Sequence, residues 1–158
     1  MATTPDTRDA PSRETSSAAL WVVLSRAYHA MAAFVEKSIA ALGIGLSDFL
    51  ILEALLHKGP MTMSALCDAA LLANASMTAA IDRLTEKQYV ERVAHATDRR
   101  VRLVQLTAEG AALIKRLYAR HLKDLDEVMK DVPAAERAAV RQTLKTIGLA
   151  AQAETKLR

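Results

Sequence analysis

Apolar residues recur at three- and four-residue steps from about residue 17 to 42. Leu20, Leu24, Ala27, Met31, Phe34 and Val35 fall on one face, and the spacing predicts an amphipathic helix. Gly43 and Gly45 close it, as glycine does just past a helix terminus. Ser47 or Asp48 is placed to cap a second helix running to His57, with Phe49, Ile51, Leu52, Leu55 and Leu56 over a wide apolar face. Lys58-Gly59-Pro60 reads as a turn. Two short helical stretches follow. The first starts at Thr62 and runs through Met63, Leu66 and Ala70; after Leu71-Leu72-Ala73, the second starts at Asn74 or Ala75 and runs to Lys87. Its predicted buried stripe is Met77, Ile81 and Leu84.

The period then changes. Residues 89–92 and 101–106 are β-type runs on either side of a basic loop, residues 94–100. Thr107 is a good N-cap for a long helix reaching about Asp131, with Leu113, Leu117, Leu122 and Leu125 in its apolar stripe. Val132-Pro133 breaks it, and the last helix carries Val140, Leu144, Ile147 and Ala151 on one face. The first and last helices each have more apolar surface than one chain needs. A second subunit would cover both.

Composition narrows this to a helical protein of one domain. The chain has 158 residues, 51% hydrophobic, with only five glycines. Residues 1–15 are polar, with Pro5, Pro11 and alternating charges, and read as a disordered tail. Residues 16–158 read as a single unit. No apolar signal core stands at the start, and no uninterrupted apolar run approaches the ~20 residues of a membrane span. The lone Cys67 excludes an intramolecular disulfide, so a soluble cytoplasmic protein without membrane contact is expected. The net charge of +3 is mild, but its distribution is uneven: five basic and seven acidic residues up to Ala73, 16 and 11 after it.

A helix pair joined by a tight turn is the helix-turn-helix pattern, whose second helix enters the major groove. The outward face of that helix shows Ser76, Thr78, Ala79 and Arg83, and its first turn contains Ala75. Mostly short, polar side chains there suit close approach to base edges. The hairpin that follows reads as a wing, with Arg99 and Arg100 at its tip, Arg92 and Arg102 on its strands and Asp98 opposing them. Arginine on a narrow loop can reach phosphates or the minor groove. Asp98 repels phosphate, so its role is to pair with Arg83 or Arg100 and brace the wing. Arg83 is either a phosphate contact or that partner.

The order of helix pair, Asp82-Arg83-Leu84-Thr85-Glu86-Lys87, Val90-Glu91-Arg92, Asp98-Arg99-Arg100 and Leu106-Thr107-Ala108-Glu109-Gly110 resembles the MarR family of bacterial regulators. The likeness spans roughly residues 20–150. Leu24-Ser25-Arg26-Ala27, Leu71-Leu72-Ala73 and Met77-Thr78 also resemble the branch of that family that includes a methylhydroquinone-responsive repressor. Gln88 departs from the pattern, because the family usually has glycine at the turn into the wing. The resemblance implies a mainly α fold with a small β-hairpin wing. It implies a winged helix-turn-helix over residues 46–110 and a homodimer formed through residues 16–42 and 111–158. It also implies repression through a pseudo-palindromic double-stranded DNA operator, relieved by a small phenolic or quinone-like ligand or a stress signal. The family's ligand place, between the first two helices and the winged region, would be lined here by Trp21, Tyr28, His29, Phe49 and His57; plain core packing is the competing reading for each.

No nucleophile–base arrangement, phosphate loop or carboxylate pair emerges, so no enzyme and no cofactor are expected. His29, His57, His95 and His121 lack metal-ligand spacing. Cys67 has no cation close in sequence, which favours a small packing residue over a redox sensor. The rival function is a winged-helix dimer used for protein contacts without DNA.

Overall fold

The computed structural model describes residues 16–95, 98 and 100–157; the expected tail over residues 1–15 lies outside them. The described elements run α1 (Ser17–Ala41), α2 (Leu46–Lys58), α3 (Met63–Ala70), α4 (Asn74–Glu86), β1 (Val90–Ala94), β2 (Arg102–Leu106), α5 (Ala108–Val128) and α6 (Ala134–Leu157). The mainly α fold with a two-stranded hairpin agrees with the sequence pattern. The chain divides into two compact units, residues 1–115 and 116–158.

In the first unit α2 is central and packs on α1, α3, α4 and β2. Its Phe49, Ile51, Leu52 and Leu55 are buried, together with Ile39 of α1, Leu66 of α3, and Met77, Ala80, Ile81 and Leu84 of α4. Val90, Val104 and Ile114 complete this core. Each such large side chain contributes roughly 1.5–3 kcal/mol relative to exposure. The helix ends follow local chemistry. Ser16 Oγ accepts from the Ala19 N–H and Thr62 Oγ1 from the Ala65 N–H, both at 3.2 Å, and Gly43 with φ 80° ends α1.

β1 and β2 are antiparallel, with Val90 opposite Leu106, Arg92 opposite Val104 and Ala94 opposite Arg102. Met61 adds a short bridge, exchanging two backbone hydrogen bonds with Val104. The hairpin is thereby tied to the segment before α3. The strand bounds shift from the sequence expectation because the ladder starts at Val90 and continues to Ala94.

The second unit holds the C-terminal part of α5 and α6. The buried line of α5 is Gly110, Ile114, Leu117 and His121, whereas Leu122 is exposed, which corrects the Leu113–Leu125 stripe. A stripe drawn through leucines alone misses the 3.6-residue line that Gly110 and His121 share. No described residue of α6 is buried. A groove of about 600 Å³ lies along Met129, Val132, Val140 and Leu144, edged by Arg137 and Arg141.

Among the described helices α1 is long and apolar enough, by length and composition, to cross a membrane. Arg26 divides its apolar residues, so the expectation that no uninterrupted apolar run approaches ~20 residues stands. One further expectation is corrected. Neither Ser47 nor Asp48 caps α2: Gly45 stands at the N-cap without a side-chain acceptor, and Asp48 turns inward.

Candidate nucleic-acid interface

α3 and α4 are joined through Leu71, which adopts φ 53°, ψ 40° and is 91% exposed. A left-handed conformation costs a non-glycine residue roughly 1–2 kcal/mol. The turn therefore places a strained, water-facing leucine where the helix pair bends. α4 begins after Ala73, which has no side chain able to cap, and no acidic residue stands in its first turn. The first N–H groups of a helix have no partner inside it and carry the positive end of its dipole. This start is chemically suited to an anion. Behind it Met77, Ala80, Ile81 and Leu84 lock the helix into the core, while Ser76, Thr78, Ala79, Asp82 and Arg83 are exposed.

Arg83 is tied down. Its Nη2 donates to Asp48 Oδ1 at 2.6 Å; the Asp48 side chain is 6% exposed and that of Arg83 50%. A carboxylate buried in α2 needs a partner, and Arg83 supplies it while keeping half its side-chain surface in water. The neighbouring Asp82 accepts from Arg92 Nη2 of β1, also at 2.6 Å. Adjacent residues of α4 thus make ion pairs in two directions, one to α2 and one to the wing.

The wing is closed at its tip and at its base. Near the tip Asp98 Oδ1 accepts from the Arg100 backbone N–H at 3.0 Å and from Arg100 Nε at 3.3 Å. The Arg100 backbone N–H and then its side chain hold the Asp98 carboxyl below the ordinary 3.8; burial opposes them, and the charge of His95 adds a weaker lowering. The Asp98 carbonyl accepts from the Val101 N–H, and the Val101 carbonyl from the His95 N–H. At the base Thr107 Oγ1 donates to the Gln88 carbonyl at 2.6 Å and accepts from the Gly110 N–H at 3.0 Å. The Thr107 N–H donates to the Tyr89 carbonyl, which lies so close to Gly110 that any Cβ there would sit 1.9 Å from it. Gln88 takes φ 61° at this turn, so a non-glycine residue is accommodated in the conformation that glycine favours.

Comparison with known proteins decides the family. A model described as the MarR family matches residues 42–101. The chain is 35% identical over 133 residues to the HTH-type transcriptional regulator MhqR of Bacillus subtilis, covering 84% of this chain and 92% of that one. The chain belongs to the MarR family. Members of this family are transcriptional regulators rather than enzymes. Two solved structures share the fold. A mutant MarR from E. coli complexed with operator DNA has TM-score 0.68 and 24% identity, over 84% of this chain and 98% of that one. BpsR of Bordetella bronchiseptica, whose DNA binding is regulated by 6-hydroxynicotinic acid, has TM-score 0.69 and 23% identity, over 87% and 96%.

Within this MarR-family frame the sequence candidates fall as follows. Ser76, Thr78, Ala79 and Arg83 share the exposed part of α4, and Ala75 lies in its first turn. Arg100 projects from the wing, 92% exposed, beside Asp98; Arg99 lies outside the described residues. Of the two partners open to Asp98 it takes Arg100, and Arg83 is engaged by Asp48 of α2 instead. The brace between wing and α4 is instead Asp82–Arg92. Sequence reasoning missed Asp48, Asp82 and Arg92 as site residues. The signal for Asp82 was its place on the helix face opposite Met77 and Ile81.

Of the ligand candidates, Phe49 is a core residue, 1% exposed. Trp21, Tyr28, His29 and His57 are exposed on α1 and α2, with the Tyr28 and His29 rings 5.7 Å apart. Neither the groove on α6 nor a 370 Å³ cleft lined by Thr85, Gln88, Glu91 and Glu109 includes any of the five. Cys67 is half-buried in α3.

Proposed function

We propose that this regulator is a homodimeric repressor that binds a pseudo-palindromic DNA operator and leaves it when a small phenolic or quinone-like ligand, or a stress signal, is sensed. The observation that carries the reading is α4 beside the wing: an acid-free, uncapped helix start with short polar outward residues, next to a hairpin bearing arginines. In the major groove Ser76, Thr78 and Ala79 approach base edges, and the first-turn N–H groups, that of Ala75 included, face a phosphate. Arg83, Arg99 and Arg100 contact the backbone or the adjacent minor groove, with Asp98 setting the direction of Arg100.

The exposed Leu20, Trp21, Val22 and Val23 of α1, and Val140, Leu144 and Leu149 of α6, support a dimer built from residues 16–42 and 111–158. Residues 46–110 form each reading head, and the two recognition helices then address half-sites about 34 Å apart. An aromatic effector lodges against α1 and α2, where Trp21, Tyr28, His29 and His57 are exposed and Phe49 lies in the core. The operator complex of MarR and the regulation of BpsR by an aromatic acid support operator binding and ligand release for this fold. The protein acts in the cytoplasm, where its DNA is.

The test is a mobility shift on the gene's own upstream duplex. The parent should bind it, and Arg99→Ala with Arg100→Ala should weaken binding and flatten its salt dependence. Equal binding by the double variant at every salt concentration would remove the wing from the interface. Titration of phenols and quinones is read on Trp21, the single tryptophan. Ligand binding should quench its fluorescence at the concentrations that release DNA.

A further inference from the structure

Three arginines on the surface proposed to face DNA are each bound to an aspartate. Arg83 meets Asp48 at 2.6 Å, Arg92 meets Asp82 at 2.6 Å, and Arg100 meets Asp98 at 3.3 Å. The pairs differ in kind. Asp48 is buried, and its pair belongs to the scaffold. The Asp82 and Asp98 side chains are 51% and 42% exposed, enough to feel a phosphate. With Met77, Ala80, Ile81 and Leu84 on the buried side of α4, Asp82 stands on the opposite side with Ala79 and Glu86. A carboxylate there meets whatever the helix meets. Exposed ion pairs contribute little to folding. Their main electrostatic effect is on an approaching polyanion: the repulsion from each aspartate offsets the attraction of its arginine.

We infer that Asp82 and Asp98 are specificity-determining residues: by holding Arg92 and Arg100 in neutral pairs, they weaken attachment to DNA of arbitrary sequence more than attachment to the operator. The inference rests on the DNA-binding reading above. Attachment to arbitrary DNA is almost wholly a matter of phosphate charge, so a neutralised arginine is lost from it in full. Operator binding draws in addition on base contacts, which the aspartates leave untouched. A pair that stays closed on arbitrary DNA can also open on the operator, where the docked geometry brings a phosphate to Arg92 or Arg100 as an exchange partner.

The experiment measures fluorescence anisotropy of two labelled duplexes, the gene's own upstream region and a scrambled sequence of equal length and composition, across a salt series. The variants are Asp82→Asn, Asp98→Asn, both together, and the charge-keeping Asp82→Glu. Each Asn variant should bind the scrambled duplex ~3–10-fold tighter at low salt, with its salt slope steeper by up to about one. The gain on the upstream duplex should be smaller, so the ratio of the two affinities falls. Asp82→Glu should keep the parent ratio. Loss of a purely structural brace would weaken binding to both duplexes, the opposite sign, and would overturn the inference. No gain on the scrambled duplex, or an equal gain on both, would overturn it too. If the parent binds neither duplex, the DNA-binding reading itself fails, a result distinct from the others because it appears before any substitution.

Discussion

Replacing Gly110 with Ala sets two physical effects against each other. Gly110 lies in the first turn of α5, where alanine is the better helix former by about 1 kcal/mol, so propensity alone predicts a more stable protein. The tertiary contact predicts the reverse. A Cβ at this position would sit 1.9 Å from the Tyr89 carbonyl oxygen and 2.8 Å from its carbon, both backbone atoms. No side-chain rotation relieves that contact. Either α5 or the turn at Gln88 and Tyr89 must move by more than 1 Å to reach an ordinary contact distance. The Tyr89 carbonyl accepts from the Thr107 N–H and the Gln88 carbonyl from Thr107 Oγ1, so the movement breaks or stretches both bonds. Two hydrogen bonds at roughly 1 kcal/mol each, with overpacking of about 1–3 kcal/mol, outweigh the propensity gain.

The expected net loss is therefore about 2–4 kcal/mol on these terms. Urea unfolding followed by far-UV circular dichroism measures it, with protein concentration held fixed because the stability of the proposed dimer depends on it. Because the wing hangs on this clasp, affinity for the upstream duplex should fall by more than the loss of folded protein explains. A Gly110→Ala protein as stable as the parent, or more so, would refute the reasoning and return the position to helix propensity.

Other outcomes follow from the same structure. Gln88→Gly should stabilise the fold by roughly 1 kcal/mol by removing the penalty of a positive φ, read as a higher urea midpoint at unchanged slope. In a double-mutant cycle on Asp48→Asn and Arg83→Ala, the coupling energy should be about 1–2 kcal/mol, between exposed and fully buried pairs because Arg83 is half in water; additive single losses would dissolve the pair. The Asp98 carboxyl is held below 3.8 in the folded protein, so the order it lends the wing tip is present above that pH and is lost as pH falls through the lowered value. The Arg100 amide resonance should follow it, with a midpoint below 3.8.

What was legible in the sequence was whatever a local rule decides. The 3.6-residue stripes of α2 and α4 gave Phe49, Ile51, Leu52, Leu55, Leu56, Met77, Ile81 and Leu84 as core, and all but the half-buried Leu56 are buried. Thr62 and Thr107 announced two helix starts through a hydroxyl that needs only its own next turn. The stripe of α5 was misplaced because burial there follows Gly110 and His121, residue types that a search for leucines passes over. Asp48 looked like a cap because a short acid near a helix start often is one. The structure turns it inward, and that follows from the arrival of Arg83 from 35 residues away.

Ion-pair partners are the part of the site that a sequence hides most completely. Asp82, Arg83, Arg92, Asp98 and Arg100 are all visible as charges, and every aspartate has more than one arginine within plausible reach. Which pair forms depends on where backbones already fixed by burial leave each stem. Arg83 leaves α4 toward α2, so it is lost to the wing. Arg92 lies opposite Val104 on the hairpin face that also carries the buried Val90, and this directs it to Asp82 of α4. Asp98 is then left with Arg100, two residues away, whose backbone N–H fixes the carboxylate before its guanidinium is counted. The core therefore sets the charge pairing, and the charge pairing sets how much of the basic surface faces DNA. A substitution in the core that turns α4 by a few degrees would then alter binding through Asp82 and Arg92 without touching a residue that meets a base.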